Sequence, residues 1–332
     1  TYILINVAII TLIYVGAIRV DGGIIAQADV VALYNLMALI IVELIKLSSL
    51  IITINKSLAC LERIEAVLVV KRQMVYKMEP VKEDKSAPAV VFDQVSFSYP
   101  QAGADAISNI SFVANRGETI GIIGGTGSAK SSFVQLIPRL YDVTEGTVRV
   151  GKEDVRDYDL VTLRDSVAMV LQKNVLFSGT IADNIRWGNK DATLEEVKHV
   201  CHLACADEFI EQMPDGYDTW IEQGGTNVSG GQKQRLCIAR ALLKQPKILI
   251  MDDSTSAVDT KTDAMIRKAM KEYIPETTKI IIAQRTSSVE DADRIIVLDS
   301  GKIDAIGTSE ELLKTNQIYR EVYLSQNKQG TE

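Results

Sequence analysis

Two long apolar segments open the chain. Residues 1–20, TYILINVAIITLIYVGAIRV, carry no charge before Arg19. About twenty helical residues, at about 1.5 Å each, cross the roughly 30 Å hydrocarbon core of a bilayer. A DGG turn follows at residues 21–23, and a second apolar pattern covers residues 24–54. The pattern predicts two membrane-spanning helices, and the purity of the first segment argues against a pair of long soluble helices.

Charged residues within and after the second segment indicate its orientation. Glu43 and Lys46 can pair on one helix face, turned toward a bundle interior or an aqueous cavity. Basic residues then follow at Lys56, Arg63, Lys71 and Arg72. Because excess positive charge marks the cytoplasmic side, we expect a multi-pass protein of the plasma membrane whose chain is cytoplasmic after about residue 56. The helical pattern runs on through LACLERIEAVL, so the second helix is expected to project into the cytosol.

A soluble part follows the membrane segments. Residues 77–88, KMEPVKEDKSAP, are charged, contain two prolines and lack periodicity, which is typical of a linker. We therefore predict a membrane part over residues 1–76, a linker over 77–88 and a soluble domain over 89–332. Its strands are predicted at VSFSY (95–99), ETIGII (118–123), GTVRV, SVAMVL, KILIMD, KIIIA and RIIVL. Helical patterns between several of them predict α/β layering, and a capping box of Thr308 and Glu311 opens a late helix.

Composition narrows the class of protein. The formal net charge of −7 does not favour a nucleic-acid partner, so none is expected. The four cysteines show no disulfide framework and suit a reducing compartment. The chain begins at Thr1, directly in an apolar segment, without the basic region or cleavage site of a signal peptide. We interpret it as the C-terminal part of a longer protein.

A glycine-rich stretch, GGTGSAKS at residues 124–131, lies between a predicted strand and a helical pattern. In that context glycines let backbone N–H groups turn toward phosphates, Lys130 supplies a positive charge, and the Ser131 hydroxyl can bind Mg²⁺. The start of a helix adds its dipole. The usual pattern has glycine directly before the lysine, where this chain has Ala129. We expect that position to be helical already, so that alanine is tolerated and binding survives.

Two carboxylates end an apolar run. KILIMDD places Asp252 and Asp253 after a segment that predicts a strand buried on both faces. Acids in a dry place are costly unless a cation meets them, and the alternative is a solvated strand end before an ordinary helix cap. Asp252 lies at the right distance downstream of the phosphate loop to support its magnesium ion without binding it directly.

The order of the motifs identifies a family. The loop GGTGSAKS, the glutamine of VLQKN, the segment NVSGGQKQRLCIARALL, the strand ILIMDD and the stretch STSAVD together resemble the ATP-binding domain of an ABC transporter. The two apolar segments resemble the last two membrane helices of an exporter half-transporter. The resemblance implies a RecA-like α/β P-loop NTPase core with an antiparallel β subdomain and a helical signature subdomain. It implies ATP and Mg²⁺ as cofactors, held by Tyr99, Gly124, Gly125, Thr126, Gly127, Ser128, Ala129, Lys130, Ser131, Ser132, Gln172 and Asp252.

The resemblance also implies individual roles. Tyr99 would stack on adenine. Gln172 would bind Mg²⁺ together with Ser131 and sense the membrane part. Asp259 would cross between subunits. A signature loop would lie on the γ-phosphate of ATP held by the other subunit, and it consists of Ser229, Gly230, Gly231 and Gln232.

Two further residues depart from the family pattern, both at positions that concern hydrolysis. Asp253 stands where the family has a glutamate as general base, and it is one methylene shorter. A misplacement of about 1 Å can cost about 10²-fold in rate. Gln284 stands where the family has a histidine on the γ-phosphate, and glutamine cannot become cationic. Asp253 as an alternative base is the simpler reading, but the two changes together resemble the degenerate subunit of a heterodimeric exporter.

That hypothesis assigns partners. A second half-transporter would supply the hydrolytic glutamate and histidine, while this chain binds ATP at a slow site and lends its signature loop. Further partners are the lipid bilayer and a transported drug, lipid or peptide. The alternatives are a homodimeric exporter with weak ATPase activity and a soluble ABC ATPase that transports nothing.

A metal site elsewhere is not favoured. The stretch HVCHLAC carries two histidines and two cysteines, but it lies in LEEVKHVCHLACADEFI (194–210), which predicts one amphipathic helix. On that helix the histidines and the cysteines occupy different faces. We expect Cys201 and Cys205 to be small packing residues.

Overall fold

The computed structural model describes residues 2–70, 74, 84, 86–100, 102–254 and 257–327. The chain divides into two compact units, residues 1–73 and 74–332. Our predictions for Lys71 and Arg72, and for most of the 77–88 linker, lie outside the described residues.

The first unit is a pair of helices. Helix α1 covers Tyr2–Asp21, and α2 runs without a break over Gln27–Leu68, as the continuous pattern predicts. They pack closely at buried Gly16, where a Cβ would lie 2.7 Å from Val30 Cγ1. Glu43 and Lys46 form the expected ion pair at 2.7 Å. Of the described residues, those of α2 form the one helix with the length and composition of a membrane span. The membrane assignment of α1 stays a prediction.

The second unit is built on strands, and those predicted from the sequence are found within a few residues of their expected positions. In chain order the strands are β1 Val90–Phe97, β2 Ile107–Ala114, β3 Thr119–Gly124, β4 Glu145–Val150, β5 Glu153–Asp154, β6 Val167–Val170, β7 Gly179–Thr180, β8 Trp220–Ile221, β9 Ile248–Asp252, β10 Thr278–Ile282, β11 Arg294–Asp299 and β12 Lys302–Gly307. The helices are α3 Lys130–Gln135, α4 Leu160–Ser166, α5 Ile181–Arg186, α6 Leu194–Leu203, α7 Asp207–Ile210, α8 Gly230–Leu243, α9 Thr260–Tyr273, α10 Ser309–Thr315 and α11 Gln317–Asn327.

A six-stranded mixed sheet forms the centre of this unit. Its order is β12-β11-β3-β10-β9-β6. The strands from β11 to β6 are parallel, and β12 is antiparallel at the edge. Every residue of β9 and β10 is buried, as expected of parallel strands covered on both faces. Because carboxyl ends of parallel strands meet at one edge, the segments that follow β3, β6, β9 and β10 converge there.

A smaller antiparallel sheet packs against the phosphate-loop helix. Its order is β2-β1-β4-β5. The ring of Phe92 on β1 stacks on Phe133 of α3 with centroids 4.4 Å apart, and both side chains are fully buried. This contact fixes the helix that follows the loop. The RecA-like core with an antiparallel subdomain is therefore as predicted.

Helices α5 to α8 share one apolar core with Leu249 and Met251, which lie on one face of β9. Cys201 and Cys205 belong to it, which confirms them as packing residues. The prediction of one helix over 194–210 is wrong, because the chain breaks between α6 and α7. Cys205 takes a left-handed backbone conformation there, with φ 53°. The capping box of Thr308 and Glu311 opens α10 as predicted.

Candidate nucleotide-binding site

The phosphate loop runs from the end of β3 to the start of α3. Lys130 is folded over it, and its Nζ donates to the carbonyl oxygens of Gly124 at 2.7 Å and Gly125 at 2.8 Å. The same Nζ lies 3.3 Å from Ser128 Oγ. A Cβ at Gly124 would collide with the carbonyl oxygen of Leu298 on β11, so the strand end accepts only glycine. The loop therefore surrounds the Lys130 ammonium group, which is the positive charge that bound phosphates would contact.

Ala129 does not have the backbone conformation that we expected. It is the residue before α3, and its φ of 70° and ψ of 22° are left-handed, not helical. The prediction that the helix has already begun at this position is wrong. The glycine of the usual pattern suits such a backbone, whereas alanine is strained there by roughly 1 kcal/mol or more.

Asp252 ends β9 beside the phosphate loop. Its side chain is buried and accepts a hydrogen bond from the Ser131 side chain. Burial raises the pKa of Asp252, the neighbouring Asp253 adds to this shift, and the Ser131 hydrogen bond and Lys130 oppose it. Burial also lowers the pKa of Lys130, against the pull of both carboxylates. One lysine therefore faces two buried acids.

Asp253 joins the segments that follow three strands. Its Oδ2 accepts hydrogen bonds from Gln172 Nε2 at 3.0 Å and from Gln284 Nε2 at 2.6 Å. Its backbone is left-handed, with φ 48°, and its N–H donates to the Ile282 carbonyl oxygen at 3.0 Å. Burial raises the pKa of Asp253, and the two glutamine hydrogen bonds lower it. The structure thus brings Asp253 and Gln284, the two candidate catalytic residues that depart from the family pattern, into direct contact.

A cavity of about 530 Å³ opens beside the phosphate loop. Tyr99 lines it, and its hydroxyl shares a 2.8 Å hydrogen bond with Ser132 Oγ. The ring packs edge-on against Phe97 and Tyr141, with centroids 4.8 and 5.2 Å away. Tyr99 is therefore positioned at the loop, and its stacking on adenine stays a prediction.

Sequence reasoning missed other residues that line this cavity. They are Asp105, Ala106, Ser300 and Gly301. Ser300 and Gly301 form the turn between β11 and β12, with φ 46° and 75°. The SG pair in LDSGKI is a turn signal that could have located them.

The signature loop begins α8. Ser229 caps this helix, and its N–H donates to Gln232 Oε1 at 2.9 Å. Ser229 and Gly230 are exposed. Gly231 lies against the chain ahead of α9, because a Cβ there would be 2.9 Å from the Ala257 carbonyl oxygen. The signature residues thus present a capped helix start to solvent and contact the neighbouring segment within this chain.

Asp259 is a helix cap in this chain. Its Oδ1 accepts a hydrogen bond from the Thr262 N–H at 3.0 Å, at the start of α9. That backbone hydrogen bond holds the pKa of Asp259 below its usual range. Its contact across a subunit interface stays a prediction, as do the roles of the signature residues.

The oxygen atoms at this edge suit a magnesium ion. Mg²⁺ prefers hard oxygen ligands, and it usually keeps several waters. The Ser131 hydroxyl is such a ligand, and buried Asp252 stands behind it through their hydrogen bond. Because Gln172 uses Nε2 on Asp253, its amide oxygen is the atom suited to the metal. Two buried acids with raised pKa values are what a divalent cation would stabilise.

A glycine-rich loop with lysine and serine, set between a parallel strand and a helix, with an acid ending a nearby strand, defines a P-loop NTPase. Comparison with protein families makes the assignment specific, since residues 107–256 match the ABC transporter model. Residues 107–256 therefore belong to an ATP-binding domain of the ABC transporter type.

Relatives match nearly the whole chain. It is 39% identical over 331 residues to an uncharacterized ABC transporter ATP-binding protein of Bacillus subtilis, covering 99% of this chain and 57% of that protein. It is 36% identical over 317 residues to an ATP-dependent lipid A-core flippase of Desulfotalea psychrophila, covering 95% and 55%. The chain therefore spans little more than half the length of these relatives.

A solved structure extends the likeness to both units. A bacterial Atm1-family ABC exporter with ATP bound matches at a TM-score of 0.77 and 31% identity, covering 92% of this chain and 53% of that one. The chain is therefore similar in fold to about half of that exporter chain.

Proposed function

We propose that this chain is the ATP-binding subunit of an ABC exporter that moves drugs, lipids or peptides across the plasma membrane. Its own site binds MgATP and hydrolyses it slowly, and its signature loop completes the competent site of a partner half-transporter. The observation that carries the slow site is the pair of hydrogen bonds that Asp253 Oδ2 accepts from Gln172 and Gln284.

Binding of ATP follows from the loop and the cavity. Lys130 Nζ donates to the carbonyl oxygens of Gly124 and Gly125. Bound phosphates would replace these carbonyls as its acceptors, since a charged acceptor forms the stronger hydrogen bond. The nucleotide base would occupy the cavity beside Tyr99. Mg²⁺, held by Ser131 and Gln172, would supply charge to the phosphate oxygens and relieve the repulsion between the buried carboxylates.

Slow hydrolysis follows from what surrounds Asp253. A general base must point at the attacking water, and here one carboxylate oxygen already accepts two amide protons. Each of those hydrogen bonds stabilises the charged carboxylate and so opposes the rise in its pKa that burial causes. Gln284 can donate a hydrogen bond to a γ-phosphate, but it cannot add positive charge there. The site is therefore suited to holding ATP rather than splitting it.

The signature loop supports the partnership. Ser229 and Gly230 are exposed at the start of α8, where free N–H groups and the helix dipole favour an anion. A partner's γ-phosphate is the anion that the family resemblance assigns to this surface. ATP would thereby join two such domains, and hydrolysis at the partner's phosphate loop would separate them.

The test is to purify the full-length subunit with and without its partner. We expect MgATP to bind in both preparations, and fast turnover to require the partner. Brisk hydrolysis by this subunit alone would contradict the slow site. Turnover that is weak and unchanged by any partner would favour a homodimeric exporter.

A soluble ABC ATPase is the second candidate, and α2 argues against it. This helix is 42 residues long, and none of its residues with a described side chain is buried within the structure. Its apolar surface needs a lipid or protein environment. Cell membranes extracted at high pH should retain the protein. Release into the supernatant would support the soluble candidate.

A further inference from the structure

The last described helix reaches the segment that carries Gln284. On α11, Gln326 Nε2 donates to the Gln284 carbonyl oxygen at 2.7 Å. Gln326 Oε1 accepts from the Thr286 N–H at 2.8 Å and lies 3.0 Å from the Thr286 hydroxyl. One side-chain amide thus engages the backbone on both sides of Arg285. A glutamine amide is suited to this because it carries a donor and an acceptor at one end.

Helix α11 is itself firmly anchored. Tyr319 is fully buried in an apolar cluster with Ile123 of β3 and Ala283, the residue before Gln284. Its hydroxyl shares a 2.9 Å hydrogen bond with Ser309 Oγ. Gln326 comes seven residues later, about two helical turns along the same face. The amide is therefore presented from a helix that is fixed in the core.

Hydrogen bonds hold the backbone on both sides of Gln284, and its side chain bonds to Asp253. Ala283 N–H donates to the Ile122 carbonyl oxygen at 3.2 Å, which holds the strand end before it. Gln326 holds the carbonyl of Gln284 and the amide of Thr286 after it. With the backbone fixed at both ends, the side chain of Gln284 extends to Asp253 Oδ2 at 2.6 Å.

We propose that Gln326 is a positioning residue for the ATP site, acting through Gln284 on Asp253. The inference rests on the proposed function in that it assigns a purpose to the Gln284–Asp253 contact. Undocking of the last turn of α11 would release the 284–286 segment and withdraw a donor from the carboxylate. The position of this helix end would thereby set how tightly the site holds MgATP.

The first experiment needs no nucleotide. Hydrogen exchange is followed in full-length protein and in the variants Gln326→Ala and Gln326→Glu. Loss of the hydrogen bonds should speed exchange at Thr286 by about threefold to tenfold in Gln326→Ala. Gln326→Glu keeps an acceptor for Thr286 but loses the donor for Gln284, so its effect should be smaller. Ser325→Ala is the matched control, because Ser325 bonds within α11, to Val322.

The second experiment is a double-mutant cycle on MgATP affinity. Gln326→Ala should raise the dissociation constant by about threefold to tenfold in the parent protein, and should change nothing once Gln284→Ala is present. An equal effect in both backgrounds would assign Gln326 a merely structural role and overturn the proposal. Unchanged exchange at Thr286 would overturn it as well. Failure of the parent to bind MgATP counts against the proposed function instead, and the exchange result then decides the inference alone.

Discussion

Gln284 donates its side-chain amide to Asp253 Oδ2 at 2.6 Å, which joins the segment after β10 to the end of β9. The two residues are the candidate catalytic positions at which the chain departs from the family pattern, and they are hydrogen-bonded to each other. A histidine and a longer carboxylate at these positions would have different reach and charge. The contact therefore suggests that the two changes belong together.

Reversing both changes should restore hydrolysis at this site. The double variant Asp253→Glu and Gln284→His extends the carboxylate by one methylene and supplies a side chain that can become cationic. We expect single-turnover hydrolysis to rise by about 10²-fold, the effect of correcting a misplacement of about 1 Å. Single-turnover assays with a hydrolysis-deficient partner would isolate this site.

Asp253→Asn is the matched control for that experiment, since it keeps the size of the side chain and removes the base. It should retain MgATP binding and lose residual turnover. If the double variant stays slow, the deficit lies elsewhere, for example in Ala129 or in the partner's signature loop.

Lys130 should be required for binding. Lys130→Ala removes the cation that closes the phosphate loop, so MgATP affinity should fall by at least about tenfold, as expected for a charge-assisted hydrogen bond worth roughly 1.5–3 kcal/mol. Binding of a fluorescent ATP analogue measures this. Lys190→Ala, at an exposed residue outside the cavity lining, is the control. Equal affinities for the parent and Lys130→Ala would place the nucleotide somewhere else.

Ala129→Gly should stabilise the protein, although glycine usually destabilises. The left-handed backbone costs alanine roughly 1–2 kcal/mol, and the greater freedom of glycine in the unfolded chain returns part of this. We expect a net gain of about 0.5–1 kcal/mol, seen as a higher midpoint in nucleotide-free thermal unfolding. Ala264→Gly, on the exposed face of α9, should lower stability by a similar amount. A loss in both variants would refute the left-handed assignment.

The ion pair of Glu118 and Arg294 should make stability depend on pH. Arg294 Nη2 donates to Glu118 Oε2 at 2.8 Å, joining the amino ends of β3 and β11. Burial opposes the shift, but this hydrogen bond holds the pKa of Glu118 below its ordinary value of 4.5. A lowered acid pKa stabilises the fold above the unfolded value, and the gain is lost as pH falls through the folded one.

The variant Glu118→Gln should therefore lower stability by about 1 kcal/mol at pH 7, a modest figure because Arg294 is partly exposed. The difference from the parent should shrink progressively below about pH 4.5. Thermal unfolding of detergent-solubilised protein across this range measures it, with exposed Glu290→Gln as the comparison. A difference that is constant with pH would mean that packing, not charge, is lost.

Much of the sheet could be predicted because its strands are short apolar runs between turns. KILIMD and KIIIA predicted β9 and β10 almost to the residue. Strand β12 was missed, since it alternates between exposed and half-buried residues at the sheet edge. The break at Cys205 was also missed, because an amphipathic period continues across it and no glycine or proline marks the turn.

The site was predictable as a set of residues and not as a set of contacts. Each motif identified its own segment, but the contact of Gln172 with Asp253 joins residues 81 positions apart. Such pairs depend on the sheet order, which local patterns do not encode. The conformation of Ala129 was wrong because helix propensity describes a helix interior, and this residue lies just outside one. Gln326 carried no local signal.

Because α2 is continuous, the direction in which each of its side chains points is fixed relative to all the others. Each residue of an α-helix advances about 1.5 Å and turns about 100°. Because Gln27–Leu68 contains no break, a single inserted residue anywhere along it would swing every side chain beyond that point to a new azimuth. Insertions of seven residues would nearly restore the original facing. Only insertions or deletions in α2 that span close to a whole number of helical turns would therefore keep its side chains on the same faces.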